Sequence, residues 1–143
     1  MGNALALVSA MAAISNPTPA WPREATTIAQ EAHSIAQKRS ARGRQTDMER
    51  LATRIHDHPE QAQEADIQAL TELLTARDDL VRYWAAISLS FIGPRARSAL
   101  PALRQAFEEK HCARESKNST SGAAVALRNM GEPPPSAPAC PLP

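Results

Sequence analysis

The pattern of apolar and polar positions is most informative between Asp78 and Pro94, where it predicts one helix with both ends marked. Asp78 or Asp79 can accept hydrogen bonds from the first backbone amides, and Gly93 followed by Pro94 ends the helix, because Gly adopts a left-handed turn and Pro lacks the amide. The apolar residues occupy two faces, formed by Val81, Trp84, Ala85 and Ile92 and by Leu80, Tyr83, Ile87 and Phe91. A helix that is apolar on two faces must be covered on both, so we expect it in the middle layer of a helical stack.

Apolar residues at helical spacing predict five further helices around this one. They cover about residues 23–39, 46–57, 64–76, a segment from Leu100 to Phe107, and 123–130. Thr46 or Asp47 is expected to cap the second helix, and the polar residues 110–122 are expected to form a long flexible loop. Alanine and leucine dominate the apolar set, aromatic residues make up only 3%, and no segment has the alternating pattern of a strand. The sequence therefore predicts an all-α fold of about six helices.

The two ends of the chain differ in composition from this helical region. Residues 4–14 form an uncharged apolar run that is too short to span a bilayer, and small residues follow up to Ala20, a pattern typical of a secretory signal cut after Ala20. No Lys or Arg precedes the run, so a frayed apolar helix is the alternative. Six of the 12 prolines fall in the last eleven residues, which predicts an extended or disordered tail. We expect a leader at 1–20, a helical domain at 21–131 and a Pro-rich tail at 132–143. The protein would be periplasmic or secreted if the leader is a signal peptide, and cytoplasmic otherwise.

Two pairs of segments repeat one another. Residues 85–93 match residues 123–131 in a small-small-apolar-x-Leu-x-x-apolar-Gly pattern, and Leu70-x-x-Leu73-Leu74 matches Leu103-x-x-Ala106-Phe107. With Asp79 and Val81-Arg82 these features resemble HEAT repeats, strongly over 66–107 and more weakly over 108–131. The resemblance implies a short α-solenoid of stacked antiparallel helical hairpins. It also implies that Asp79 and Arg82 pair between repeats, although a local pair within the helix is possible. Trp84, Gly93 and Gly131 are interpreted as structural.

The formal charge is nearly balanced at +1, so no global field draws the chain to nucleic acid or to an acidic surface. Because solenoid surfaces offer ridges of side chains to partners, we expect a non-catalytic protein-binding or scaffold module. The candidate partner-binding residues lie around the predicted turns and are mostly basic, which favours an acidic partner surface: Arg77, Tyr83, Arg95, Arg97 and Arg104. The alternative is nucleic-acid binding through Lys38, Arg39, Arg42, Arg44, Arg95 and Arg97.

Residues with catalytic or metal-binding chemistry form no convincing group in the sequence. His56 and His58 are two apart on a predicted helix and therefore point about 200° apart, which suits one metal poorly. His111 and Cys112 are adjacent, but adjacency does not place a base across from a nucleophile. Some HEAT-like enzymes hold a di-iron centre through His-Glu pairs, and no His here precedes a Glu. A lyase-type HEAT-like enzyme is a third hypothesis. We expect no catalytic residue, metal or cofactor, and Cys112 and Cys140 could form one disulfide in an oxidising compartment.

Overall fold

The computed structural model describes residues 26–109 and 117–134, and within these two ranges it is helical with no strand. Short 3-10 segments at Pro59–Gln61, Leu73–Thr75 and Gly93–Ala99 separate or extend the helices. The α-helices in chain order are α1 (Ile28–Ala36), α2 (Ala41–Asp57), α3 (Glu64–Glu72), α4 (Asp79–Ile92), α5 (Leu100–Glu108) and α6 (Ser119–Asn129). The predicted all-α class is therefore confirmed. The predicted leader, most of the Pro-rich tail, and both Cys112 and Cys140 lie outside the described residues.

Helix α4 begins and ends where the sequence predicted, and it is covered on two sides. The Asp78 carboxylate accepts hydrogen bonds from the amides of Leu80 (3.1 Å) and Val81 (3.4 Å), and Gly93 ends the helix with φ of +67°. Helix α4 packs most extensively against α6 and against α2. Ile87 is buried, whereas Trp84 is half-buried against the core. The expectation that other helices cover α4 is thus confirmed.

The first two hairpins, α1–α2 and α3–α4, lie side by side with equivalent helices parallel. The amide of Ala29 in α1 donates to Asp66 of α3 (2.7 Å), 37 residues away along the chain. On the α2–α4 side, the His56 ring lies 4.6 Å from the Phe91 ring, centroid to centroid. Residues that contact each other across this boundary are therefore separated by a nearly constant number of positions in the sequence.

The third hairpin, α5–α6, continues this arrangement through α6, which is parallel to α4. The Ser119 amide donates to Asp79 (3.4 Å), and the Asn129 side chain donates to the Ser90 hydroxyl (2.7 Å), at separations of 40 and 39 residues. Gly122 allows the close approach, because a Cβ there would lie 2.9 Å from the Tyr83 carbonyl oxygen. Helix α5 packs against α6 and against the Leu73–Thr75 segment rather than along the length of α3.

Three predicted helix starts were wrong. Helix α1 begins at Ile28 instead of about residue 23, because the Thr27 hydroxyl caps it by accepting from the Gln30 amide (3.1 Å). Helix α2 begins at Ala41 instead of about residue 46, because the Ser40 hydroxyl caps it by accepting from the Gly43 amide (3.2 Å). Helix α6 begins at Ser119, inside the segment predicted to be a loop, because Asn118 and Ser121 form reciprocal capping hydrogen bonds. The first turns of α2 and α6 are polar, so the apolar periodicity did not predict them. Helix α1 ends at Ala36, three residues before the predicted end.

Candidate functional site

The Asp79–Arg82 pair predicted from the repeat pattern is local to α4. The Arg82 guanidinium donates to the Asp79 carboxylate (2.6 Å) and to the carbonyl of Ala76 (2.9 Å). Burial raises the pKa of Asp79, but hydrogen bonds from Arg82 and from the Ser119 hydroxyl and amide, with the charge of Arg82, outweigh it, and the pKa lies below its ordinary value. Asp79 thus reaches the next hairpin through Ser119, and its partner Arg82 holds the turn before α4.

The five candidate partner-binding residues do not lie together. Arg77 precedes α4, and Tyr83 lies near the beginning of that helix with its ring 5.0 Å from that of Trp84. Arg95 and Arg97 follow the end of α4. Since α4 has 14 residues, the two groups are separated by about 20 Å along the helix axis.

Two of the arginines beyond the end of α4 are occupied by structural contacts. Arg95 donates to the carbonyl oxygens of Pro59 (3.1 Å) and Ala62 (2.6 Å), which fixes the connection between α2 and α3. Arg104 forms an ion pair of 2.6 Å with Glu132, just after α6. These guanidinium groups hold the chain in place, so Arg97 is the exposed cation left from the predicted set at this end of α4.

The six cations of the nucleic-acid hypothesis are divided in the same way, because Lys38, Arg39, Arg42 and Arg44 lie at the α1–α2 connection, far from the other two. Lys38 forms an ion pair with Asp47, and its hydrogen bond to that carboxylate holds the pKa of Asp47 below the ordinary value. Arg44 donates to the carbonyl oxygens of Lys38 (2.6 Å) and Arg39 (3.2 Å). The structure therefore does not form one continuous basic surface from the predicted residues.

A cleft of about 560 Å³ opens between the first two hairpins, where α1 ends and the α3–α4 turn begins. We call it the hairpin cleft. Its apolar lining consists of Ala36, Ala69, Leu73, Ala76 and Val81, and its polar lining of His33, Arg44, Glu72, Thr75, Arg77 and Asp78. The largely buried Arg44 forms an ion pair with Asp78 (3.3 Å), whereas His33 and Glu72 are exposed and 3.6 Å apart. Arg77 is exposed and lines the same cleft.

Of the residues lining this cleft, only Arg77 and Arg44 were proposed from the sequence as binding residues. The other lining residues come from three helices and a turn, and each looks like an ordinary helical position when its own helix is considered alone. The cleft arises from how far α1 and α3 extend beside each other, which no local pattern encodes.

A smaller recess of about 240 Å³ lies at the other end of α1. It is lined by Asp66, whose carboxylate is 5% exposed and accepts from the amides of Ala29 (2.7 Å) and Gln63 (2.9 Å). Both carboxylate oxygens are therefore engaged in joining α1 to α3. This recess is a structural junction.

The described residues carry limited chemistry. In the ranges 26–109 and 117–134, no group of three or more His, Cys, Asp or Glu side chains is placed to hold a metal ion. None of the helices in these ranges combines the length and the apolar character that crossing a membrane requires. The hairpin cleft has a volume typical of pockets that receive ligands, and its apolar surface is bordered by charged residues.

Comparison of the chain with models of known protein families, with curated proteins and with solved structures finds no match. The candidate site is therefore defined by this chain's own geometry.

Proposed function

We propose that this chain is a non-catalytic protein-binding module, a short HEAT-like array of three helical hairpins that binds its partner in the hairpin cleft. The observation that carries the proposal is the cleft itself. It combines an apolar lining with an exposed arginine, Arg77, at the boundary between two hairpins. Grooves between stacked elements are the usual binding surfaces of repeat arrays.

The helix arrangement supports the repeat interpretation. Contacts between equivalent helices recur at separations of 34 residues (Arg44 to Asp78), 37 (Ala29 to Asp66) and 39 (Asn129 to Ser90). A nearly constant separation is expected if each hairpin is one structural unit stacked on the previous one. Three such units reach the number that a repeat array needs for stability.

The contacts of the charged residues support binding over the other two hypotheses. A nucleic-acid surface needs several cations along one face, and here the predicted cations lie at opposite ends of α4 with Lys38, Arg44 and Arg95 engaged by the protein itself. A lyase needs convergent groups that could move a proton. In the cleft, Arg44 and Asp78 form a largely buried ion pair, and the second pair, His33 and Glu72, is exposed to solvent. Nucleic-acid binding stays the alternative, and the experiment below includes it.

The test fills the cleft without touching the core. Ala36 is exposed at the end of α1 and lines the cleft, whereas Ser34 is exposed on the same helix and does not line it. Tagged wild type, Ala36→Trp and Ser34→Trp are used to purify partners from an extract of the native host, and each captured protein is then produced pure. We expect isothermal titration to show at least about a tenfold loss of affinity for Ala36→Trp and a change below about twofold for Ser34→Trp.

The outcome that contradicts the proposal is equal binding by the two Trp variants, or the absence of any protein that binds the pure wild type directly. Far-UV circular dichroism of both variants checks that the helices are intact. A nucleic acid recovered with the wild type, and released by moderate salt, would favour the alternative.

A further inference from the structure

We infer that the hairpin cleft selects an acidic segment of its protein partner, with a carboxylate paired to Arg77 and an aliphatic side chain against the apolar lining. The inference rests on the proposed function and specifies the partner's chemistry. It begins with the charges in the cleft. Arg44 is committed to Asp78 and to two backbone carbonyl oxygens, whereas Arg77 has no hydrogen bond or ion pair with any described residue.

The two carboxylates of the cleft differ in their contacts. The Asp78 carboxylate accepts from two backbone amides of α4 and faces Arg44, whereas Glu72 is exposed and lies 3.6 Å from the equally exposed His33 ring. A basic ligand would have to compete with Arg44 for Asp78 and would be repelled by Arg77, which leaves the exposed Glu72 as the carboxylate of the described lining that it could reach. An acidic ligand meets an available guanidinium, which can bind a carboxylate through two parallel hydrogen bonds.

A second cation stands beside the cleft. Arg39 is exposed, and its carbonyl oxygen accepts from Arg44, which lines the cleft. Its side chain has no hydrogen bond or ion pair among residues 26–109 and 117–134. Arg39 does not line the cleft itself, so Arg77 is the arginine that we assign to the ligand's carboxylate.

The apolar lining determines which uncharged side chain of the ligand is favoured. Leu73, Val81 and Ala69 are buried beneath the cleft, and Ala36 and Ala76 border it with small side chains that leave room. Burying an aliphatic side chain against this surface is favourable by the area removed from water. The described residues that line the cleft include no Phe, Tyr or Trp on which nucleic-acid bases could stack.

The experiment selects peptides without assuming a partner. A phage-displayed library of random dodecamer peptides is enriched on immobilised full-length wild type and on Ala36→Trp in parallel. We expect the clones that require the open cleft to carry Asp or Glu next to Leu, Ile or Val. If cleft-dependent clones are enriched in Lys or Arg, or show no charge preference, the inference is wrong while the proposed function stands. If no clone depends on the cleft, the proposed function fails as well.

Charge reversal then tests the assigned cation. The best cleft-dependent peptide is synthesised with a fluorescein label, and its binding is followed by fluorescence anisotropy at physiological salt. We expect Arg77→Glu to weaken binding by at least about tenfold and Arg77→Lys to weaken it by less than about threefold. The matched control is Arg97→Glu, an exposed arginine beyond the other end of α4, with an expected change below about twofold.

Equal losses for Arg77→Glu and Arg97→Glu would overturn the inference, because a general charge effect would explain both. Thermal unfolding of each variant, followed by circular dichroism, separates lost binding from lost structure. A labelled DNA duplex of random sequence serves as the second probe. Tight binding of that duplex that depends on Arg77 would also overturn the inference, in favour of a phosphate ligand.

Discussion

Replacing Asp66 should destabilise the fold more than the loss of an ordinary helix cap. Its carboxylate is buried, at 5% exposure, and accepts hydrogen bonds from the Ala29 amide in the first turn of α1 and the Gln63 amide before α3. Asp66→Ala leaves two backbone donors without their acceptor. An unsatisfied buried donor costs about 1–3 kcal/mol, and because both of these donors are only partly buried, their joint cost lies in the lower part of the range of about 2–6 kcal/mol. Because the adjacent recess can admit water, we expect about 3 kcal/mol.

Urea unfolding followed by far-UV circular dichroism measures this change. Asp66→Asn keeps one acceptor oxygen but turns its amide group toward a donor, so we expect a loss of about 1.5 kcal/mol. The control is Asp57→Ala, whose carboxylate is 60% exposed at the end of α2 and should change stability by less than about 0.5 kcal/mol. Hydrogen exchange should show loss of protection at the amides of Ala29 and Gln63 in Asp66→Ala.

The reasoning is refuted if Asp66→Ala costs no more than about 1 kcal/mol, the usual value of a single local cap. It is also refuted if the exchange of the Ala29 amide is unchanged. In either case the carboxylate would act within α3 alone, and the junction between the first two hairpins would depend on apolar contacts.

Two further perturbations test the α4–α6 boundary. Gly122→Ala should destabilise the fold by about 1–2 kcal/mol in urea unfolding despite the better helix propensity of Ala, because its Cβ would lie 2.9 Å from the Tyr83 carbonyl oxygen. The control Gly43→Ala, whose Cβ would have no contact under 3.5 Å, should be neutral or stabilising. A Gly122→Ala variant more stable than the wild type would contradict the close packing of α6 on α4. The pKa of Asp79 is lowered in the folded state, so its stabilising contribution is complete above the unfolded pKa of about 3.9 and is lost as pH falls through the folded value. Urea midpoints from about pH 6 to 2.5 should therefore converge for wild type and Asp79→Asn at the acid end, and a constant gap would show that the Arg82 and α6 contacts do not depend on the charge.

The sequence predicted the elements whose signals are local. The ends of α4 followed from Asp78 and Gly93, because an N-terminal carboxylate cap and a left-handed glycine act within one turn of the residues they affect. Its middle position followed from apolar residues on two faces. The starts of α2 and α6 were missed because the capping residues Ser40 and Asn118 are followed by polar turns, which contain no apolar periodicity. The Asn118-x-x-Ser121 spacing was a usable signal for the second of these.

The contacts that build the candidate site are not local. Asp66 reaches an amide 37 residues away, and Arg44 reaches Asp78 across 34 residues. The sequence pattern predicted no role for Asp66, and it indicated Arg44 only as one cation among several basic residues. Gly122 was placed in a loop, although it is the residue that permits close packing of α6 on Tyr83. Such roles depend on the relative position of hairpins.

The location of the hairpin cleft follows from a difference in helix length. Helix α1 has 9 residues and α2 has 17, so α1 covers about 14 Å beside a helix of about 26 Å. The early end of α1 at Ala36 leaves the turn before α4 without a full-length neighbour on that side. Arg44, from the first turns of α2, reaches into the gap and binds the carbonyl oxygens beyond the end of α1. At the α4–α6 boundary the small residue Gly122 closes the space instead. The position of the proposed binding site is therefore determined by where α1 ends, since the same hairpin contacts leave a cavity at one boundary and a tight contact at the other.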